Sequence, residues 1–147
     1  MAKVNWKPDG YHSLTPYLNL KGADKAIEFY KKAFGAEEQM RMPGPDGLIA
    51  HAEIRIGDSN IMLSEATQRP ESRTSLWLYV SDCDAVFNKA VAAGATVKAP
   101  LEDMFWGDRY GLLADPFGQS WSVATHREDV SPAELEKRAK AAMAARK

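Results

Sequence analysis

Leu14, Pro16, Leu18 and Leu20 alternate with Thr15, Tyr17 and Asn19, and this period of two predicts a strand. Pro16 has no N–H to give a ladder, so it marks an edge or the strand's start. After Lys21-Gly22 the period changes. Ala26, Ile27, Tyr30, Ala33 and Phe34 fall on one face of a helix expected to stop at Gly35. Residues 40–42 read as a second short strand before the turn-rich Pro43-Gly44-Pro45-Asp46-Gly47. Ala52, Ile54 and Ile56 then alternate with His51, Glu53 and Arg55. Beyond the turn Gly57-Asp58-Ser59, Ile61 and Leu63 alternate with Asn60, Met62 and Ser64. That pattern predicts a hairpin with one apolar and one mixed face.

The same order then recurs. Leu76, Leu78 and Val80 alternate with Ser75, Trp77 and Tyr79. Asp82 or Asp84 can cap a helix with the stripe Val86, Phe87, Ala90, Val91 and Ala93, ending at Gly94. A short strand near Val97, a loop from Pro100 to Gly107 and a hairpin follow. The hairpin strands are residues 110–114 and 119–125, joined by Asp115-Pro116-Phe117-Gly118. A shift of 60 residues superposes Thr15 on Ser75, Leu18 on Leu78, Asp24 on Asp84, Ile27 on Phe87, Tyr30 on Ala90 and Met62 on Ser122. Gly35-Ala36 meets Gly94-Ala95 after a one-residue slip. The chain therefore reads as α+β: two βαβββ modules forming a paired, curled mixed sheet with a concave cleft, plus a C-terminal helix. Residues 1–11 are an N-terminal extension, 12–66 the first module, 67–74 a polar linker, 75–127 the second module and 128–147 the helical end. In that end Ser131-Pro132-Ala133-Glu134 supplies an N-cap, a proline at the first helical position and a capping-box Glu. Lys140, Arg146 and Lys147 come late, as the helix dipole favours. Leu135, Ala139 and Met143 form only a thin stripe.

Composition narrows the chemistry. A length of 147 residues suits one domain or two small halves. With 19 basic and 20 acidic side chains the net charge is −1, so no global field favours nucleic acid or an anionic membrane. The N-terminus carries Lys3, Lys7 and Asp9 with no apolar run, and no apolar stretch approaches the length of a spanning helix; a cytoplasmic protein is expected. Cys83 is the single cysteine, which excludes an intrachain disulfide or a Cys-built metal site. His12, His51 and His126, with carboxylates, remain as metal ligands. His12 and His126 fall near the ends of the strand region and are expected to face solvent.

Each helix covers one sheet face, and the other face carries the candidate site. In the first module that face holds Thr15, Tyr17, Asn19, His51, Glu53, Arg55, Asn60, Met62 and Ser64. In the second it holds Ser75, Trp77, Tyr79, Leu113, Ser120 and Ser122. Aromatics with a few polar groups suit a small-molecule pocket, and equally an interface between chains. Trp106, Arg109 and Tyr110 belong to a loop that can form a pocket rim. His51 and Glu53, two apart on one strand face, can act as a base with its orienter or as metal ligands, or simply bond each other.

The duplicated unit, the stretch Ala26-Ile27-Glu28-Phe29-Tyr30 ending at Phe34-Gly35-Ala36, and Asp115-Pro116-Phe117-Gly118 followed by a strand resemble the vicinal oxygen chelate superfamily. That group includes glyoxalase I, bleomycin-resistance and fosfomycin-resistance proteins and extradiol dioxygenases. His51-Ala52-Glu53 and the segment from Trp106 to Asp129 look most like its PhnB-like branch. The resemblance covers about residues 13–130. It implies metal ligands, usually His and Glu, at positions that here are Thr15, Met62, Ser75 and Ser122. None is a His or carboxylate, and a thioether with three hydroxyls is a poor set for a hard divalent ion. His51 with Glu53, joined by Glu65, is the candidate for a shifted metal site.

The drug-sequestering members of that superfamily need no metal. The resemblance therefore implies a metal-independent small-molecule-binding protein without a cofactor, a homodimer whose partners are a small ligand and a second copy. Its ligand-binding residues would be Tyr17, His51, Glu53, Met62, Trp77, Tyr79, Trp106, Arg109, Tyr110 and Ser122. Bleomycin itself is cationic, and a net charge of −1 offers it no bias. The alternative is a lyase or isomerase of the glyoxalase type, dependent on a divalent metal or on His51 and Glu53 as catalytic residues.

Overall fold

A computed structural model describes residues 3–146. The first alternating stretch is strand β1 (Tyr17–Leu20), which pairs in parallel with β4 (Ser59–Glu65) and not with its sequence neighbour. A parallel partner requires a crossover, and α1 (Ala23–Phe34) begins it. Strands β2 (Glu37–Pro43) and β3 (Ile49–Ile56) complete an otherwise antiparallel sheet in the order β1-β4-β3-β2. The second half repeats the design: β5 (Ser75–Tyr79), α2 (Cys83–Ala93), β6 (Thr96–Asp103), β7 (Asp108–Ala114) and β8 (Ser120–His126), in the order β5-β8-β7-β6. Both expected modules are present. Even the register repeats, since Tyr17 pairs with Met62 and Trp77 with Ser122, each residue 60 positions from its counterpart.

Two compact units result. Residues up to Thr74, together with 116–118, form the first; Ser75–Asp115 and the chain from Gln119 onward form the second. In the first unit Leu18, Leu20, Ala52, Ile54, Ile56, Ile61 and Leu63 are buried with Ala26, Ile27, Tyr30 and Ala33 of α1. Phe29 joins this core although the helical stripe omits it, because Phe117 meets it edge-on with centroids 6.0 Å apart. No side chain caps α1 at Gly22. The carboxylate of Glu65 instead accepts from the amides of Gly22 (2.9 Å) and Ala23 (3.0 Å), as the positive helix end favours.

In the second unit Phe87 and Ala90 of α2 are buried with Leu113, Trp121 and Val123, and Asp82 caps the helix by accepting from the Ala85 amide. Three readings of this half need correction. Leu113 faces the helix and not the open face: its ladder partner is the buried Trp121, whereas Leu112 pairs with Ser122. Strand β6 runs on through Pro100 to Asp103, where a loop was expected. It is an edge strand with register shifts after Val97 and Ala99, and an edge tolerates the missing proline N–H. Helix α3 (Pro132–Ala145) has no basic residue in its last turn; Arg146 is its C-cap, and Lys147 lies outside the described residues. Ser131 caps α3 as expected. The helix buries no side chain, and Arg138 ties it to the body through the Phe105 carbonyl and Glu128.

Gly107 shapes the loop before β7. Its φ is +104°, and a Cβ there would lie 2.2 Å from the Glu128 carbonyl oxygen. Its own carbonyl accepts from the amides of Arg127 (2.9 Å) and Glu128 (3.1 Å), so the two backbones cannot separate cheaply. Gly107→Ala should therefore destabilise the protein by more than the ~1–3 kcal/mol expected for backbone strain alone. The chemical-denaturation midpoint measures this, and an unchanged midpoint would contradict the assignment.

Candidate functional site

With α1 and α2 covering one face of each sheet, chemistry concentrates on the other. In the first unit ladder partners Tyr17, Met62, Glu53 and Met40 lie side by side across β1, β4, β3 and β2. His51 Nε2 and Glu53 Oε2 are 2.9 Å apart, and the other Glu53 oxygen accepts from the Tyr11 hydroxyl. His51 Nδ1 lies 3.2 Å from the Tyr17 hydroxyl. The hydrogen bonds from Tyr11 and then His51 hold the Glu53 carboxyl below the usual carboxylate range despite its partial burial. Burial, reinforced by the hydrogen bond to Glu53, pushes the Tyr11 phenol up to about 12, so it remains a donor at neutral pH. Beside this network is a cleft of about 490 Å³, lined by Tyr17, Asn19, the 44–50 turn, Ser64, Glu65 and residues 67–69.

The second unit presents an aromatic wall. Trp77 and Tyr110 stack with centroids 4.9 Å apart and planes 8° from parallel. Trp106 lies 6.4 Å from Trp77 and 6.0 Å from Tyr110, and Tyr79 lies 6.0 Å from Trp77. The ladder explains how rings from β5 and β7 meet. Between those strands runs β8, which offers Ser122 opposite Trp77 and Ala124 opposite both Tyr79 and Tyr110. Small side chains there leave room for the rings to lean over them. Ser122 and Ala124 are accordingly buried on a face that no helix covers, while Trp77 and Tyr79 remain 46% and 58% exposed.

One buried carboxylate anchors the wall. Asp108, 3% exposed, accepts from the Tyr79 hydroxyl (2.8 Å) and the Trp106 indole N–H (2.9 Å) on one oxygen, and faces His126 Nδ1 (2.8 Å) with the other. Burial alone would raise its pKa; the bonds from His126, Tyr79 and Trp106 outweigh burial and leave it below the usual range. The bond to Asp108 in turn pushes the Tyr79 phenol up. His126 Nε2 reaches Asp129 at 2.7 Å, so both ring nitrogens face carboxylates and only the imidazolium donates to both.

The structure therefore gathers the predicted site residues into two groups. Tyr17, His51, Glu53 and Met62 share the first unit's open face; Trp77, Tyr79, Trp106, Tyr110 and Ser122 share the second's. Arg109 joins neither, because alternation turns it away from Tyr110 and toward α2, where Asp84 binds its guanidinium at 2.7 and 3.1 Å. Tyr11 and Asp108 are site residues the sequence reading missed. Tyr11 lies outside any periodic segment and carried no signal. Asp108 falls two residues from Tyr110 on the same strand face, and that parity was its one available sign. Half-exposed His126 is more than solvent-facing, since it closes the Asp108 cluster.

Two four-stranded sheets, each with its first and last strands parallel and one helix crossing over, define the class of fold. The chain belongs to the Glyoxalase/Bleomycin resistance protein/Dioxygenase superfamily, whose family model matches residues 12–123. It is 41% identical over 136 residues to an uncharacterized protein of Mycobacterium bovis, covering 84% of this chain and 90% of that one. Among solved structures, the fold matches the PhnB protein from Bacillus cereus, described as a putative 3-demethylubiquinone-9 3-methyltransferase. That match has a TM-score of 0.65 and 22% identity over 78% of this chain and 99% of that one. It also matches TnmS3, an antibiotic binding protein from Streptomyces sp. CB03234, with a TM-score of 0.63 and 22% identity over 78% and 95% of the two chains.

The superfamily's metal enzymes raise the question of donors. In the first unit Thr15 and Met62 offer a hydroxyl and a thioether, and in the second Ser75 and Ser122 offer two hydroxyls; neither pair has a charged or imidazole ligand, so neither fits a hard divalent ion. The shifted set fares no better, because Glu65 is engaged at the start of α1. Among the described residues no group of three or more His, Cys, Asp or Glu side chains is arranged to hold an ion.

The Asp108 cluster carries a pH signature. The hydrogen bond to Asp129, followed by that to Asp108, raises the His126 pKa above its ordinary value. A raised folded-state pKa contributes stability that is fully present below the unfolded value of ~6.5 and is lost as pH rises through the folded value. The melting-temperature advantage of wild type over His126→Gln should therefore be larger at pH 6 than at pH 9. An advantage of equal size at both would contradict the paired imidazolium.

Proposed function

We propose that this protein binds a planar, largely apolar small molecule on the aromatic wall of its second unit, without a metal and as a homodimer. The observation that carries this reading is the Trp77–Tyr110 stack, flanked by Tyr79 and Trp106 that buried Asp108 holds, with Trp77 still 46% exposed. Rings already ordered by packing and hydrogen bonds lose little freedom when a ligand stacks on them. A flat aromatic face with hydroxyls at its edge suits a conjugated ring system with a few polar substituents. The antibiotic-binding activity named for TnmS3, on the same fold, is in line with a ligand of that kind. Metal independence is supported by the donor set at Thr15, Met62, Ser75 and Ser122.

Titration with a panel of polycyclic aromatic compounds should quench tryptophan fluorescence and raise the melting temperature. Trp77→Ala and Tyr110→Ala should each weaken binding at least ~10-fold, equivalent to ~1.4 kcal/mol. Unchanged affinity in both variants, or a panel with no binder, would overturn the reading. Dialysed protein should contain far less than one equivalent of Zn, Ni, Mn or Fe by elemental analysis; a tight stoichiometric metal would defeat metal independence. Light scattering at micromolar concentration should give twice the chain mass, and a monomer there would remove the homodimer from the proposal.

A further inference from the structure

The first unit's open face has a different organisation, and its chemistry follows from which atoms can hold protons. The hydrogen bonds from Tyr11 and His51 keep Glu53 ionised, and a carboxylate only accepts. The His51 proton facing it must therefore sit on Nε2. In the neutral ring Nδ1 is then a lone pair, and it faces the Tyr17 hydroxyl. The tautomer is set by the carboxylate, the carboxylate is held by Tyr11, and the phenol is left beside a base. A reactive group bonded to a base that a third group orients is the geometric signature of an acid–base relay.

The relay meets the cleft at its Tyr17 end. Tyr17 lines the cleft of about 490 Å³; His51 and Glu53 do not. The charges around that cleft are unevenly committed. Asp46 accepts from the Leu48 amide, and Glu65 holds the amides at the start of α1. Arg69, on the same lining, has no ion-pair partner among the described residues. Asp46 and Glu65 stay negatively charged, but their oxygens are turned to backbone amides, which leaves Arg69 as the point on this lining where a ligand carboxylate can be met. Asn19, Ser64 and Gln68 add hydrogen-bonding groups.

We propose that Tyr17, His51 and Glu53 form a proton-transfer triad, with Tyr17 as the catalytic acid–base, acting on a small 2-oxo carboxylate whose carboxylate is met by Arg69. The class follows from the parts: a phenol–imidazole–carboxylate relay moves protons, and a carbon next to a ketone is a weak acid that such a relay can ionise. The Tyr17 oxygen takes the carbon-bound proton as the phenolic proton passes to His51 Nδ1. The C–H electron pair becomes the enolate, and the imidazolium is neutralised by Glu53. Reversal returns a proton to the same carbon. No bond between heavy atoms breaks and no oxidant or reductant is needed. This site is independent of the aromatic wall, so either can fail without the other.

Deuterium wash-in provides the test. The full chain is incubated in D2O buffer near neutral pH with pyruvate, 2-oxobutyrate or 2-oxoglutarate, and loss of the C3 proton signals is followed by proton NMR. Wild type should exchange at least one of these at least ~100-fold faster than Tyr17→Phe, the scale of positioned acid–base catalysis. His51→Gln and Glu53→Gln should fall similarly. Arg69→Met should raise KM with little change in kcat, and acetone, which lacks the carboxylate, should exchange at the buffer rate. Tyr17→Phe removes a single oxygen, and its melting curve confirms that the variant is folded. Wild-type exchange equal to buffer on all three acids, or a folded Tyr17→Phe that exchanges as fast as wild type, would overturn the proposal.

Discussion

In each unit the first strand pairs in parallel with the last, and most other features follow from that constraint. A parallel partner cannot be reached by a tight turn, so a helix must begin the crossover, and it can cover only one face. The helix-side positions become dry core: Leu18, Ile54 and Leu63 in one unit, Leu113 and Val123 in the other. The opposite face is left with polar and aromatic side chains that must satisfy one another. Polar, titratable and aromatic groups concentrate there because the core has no room for them.

The two open faces meet this requirement in related but non-equivalent ways. Each is organised by one carboxylate bound to a tyrosine hydroxyl and a histidine: Glu53 with Tyr11 and His51, Asp108 with Tyr79 and His126. The carboxylates do not coincide under the 60-residue shift that aligns the strands, so these are separate solutions on a repeated scaffold. Their surroundings differ as well. Glu53 joins a hydrogen-bonded row that reaches Tyr17 on a polar cleft, whereas Asp108 is buried and supports a wall of rings.

What could be read from the sequence follows the same physical division. Periods of two and of 3.6 report local burial, so the strand–helix order, the duplication and the caps at Asp82 and Ser131 were legible. Interactions between distant segments leave no period. Phe29 is covered in part by Phe117, which arrives from a turn far along the chain, and Tyr11 belongs to the site only because the N-terminal segment delivers it to Glu53. Strand β6 was hidden by Pro100, whose penalty lapses on an edge. The grouping of Trp77, Tyr79 and Ser122 was legible from parity. Parity applied from a hairpin end misjudged by one residue put Leu113 on the wrong face, which shows how sharply strand register controls such assignments.

The small residues of β8 connect the missing ligands to the aromatic wall. By resemblance, Ser122 occupies a position where the superfamily's metal enzymes carry a His or carboxylate, and here it is the ladder partner of Trp77. A charged ligand at that point would need coordination or water above it, in the space where the Trp77 and Tyr110 rings now close over Ser122 and Ala124. A metal-binding side chain and a closed ring stack thus compete for the same space. A serine there does more than lack a charged donor: it leaves volume and carries little desolvation cost, as ring stacking requires. Serine at position 122 thus leaves room for the ring stack and offers a hydroxyl where the resemblance expects an imidazole or carboxylate.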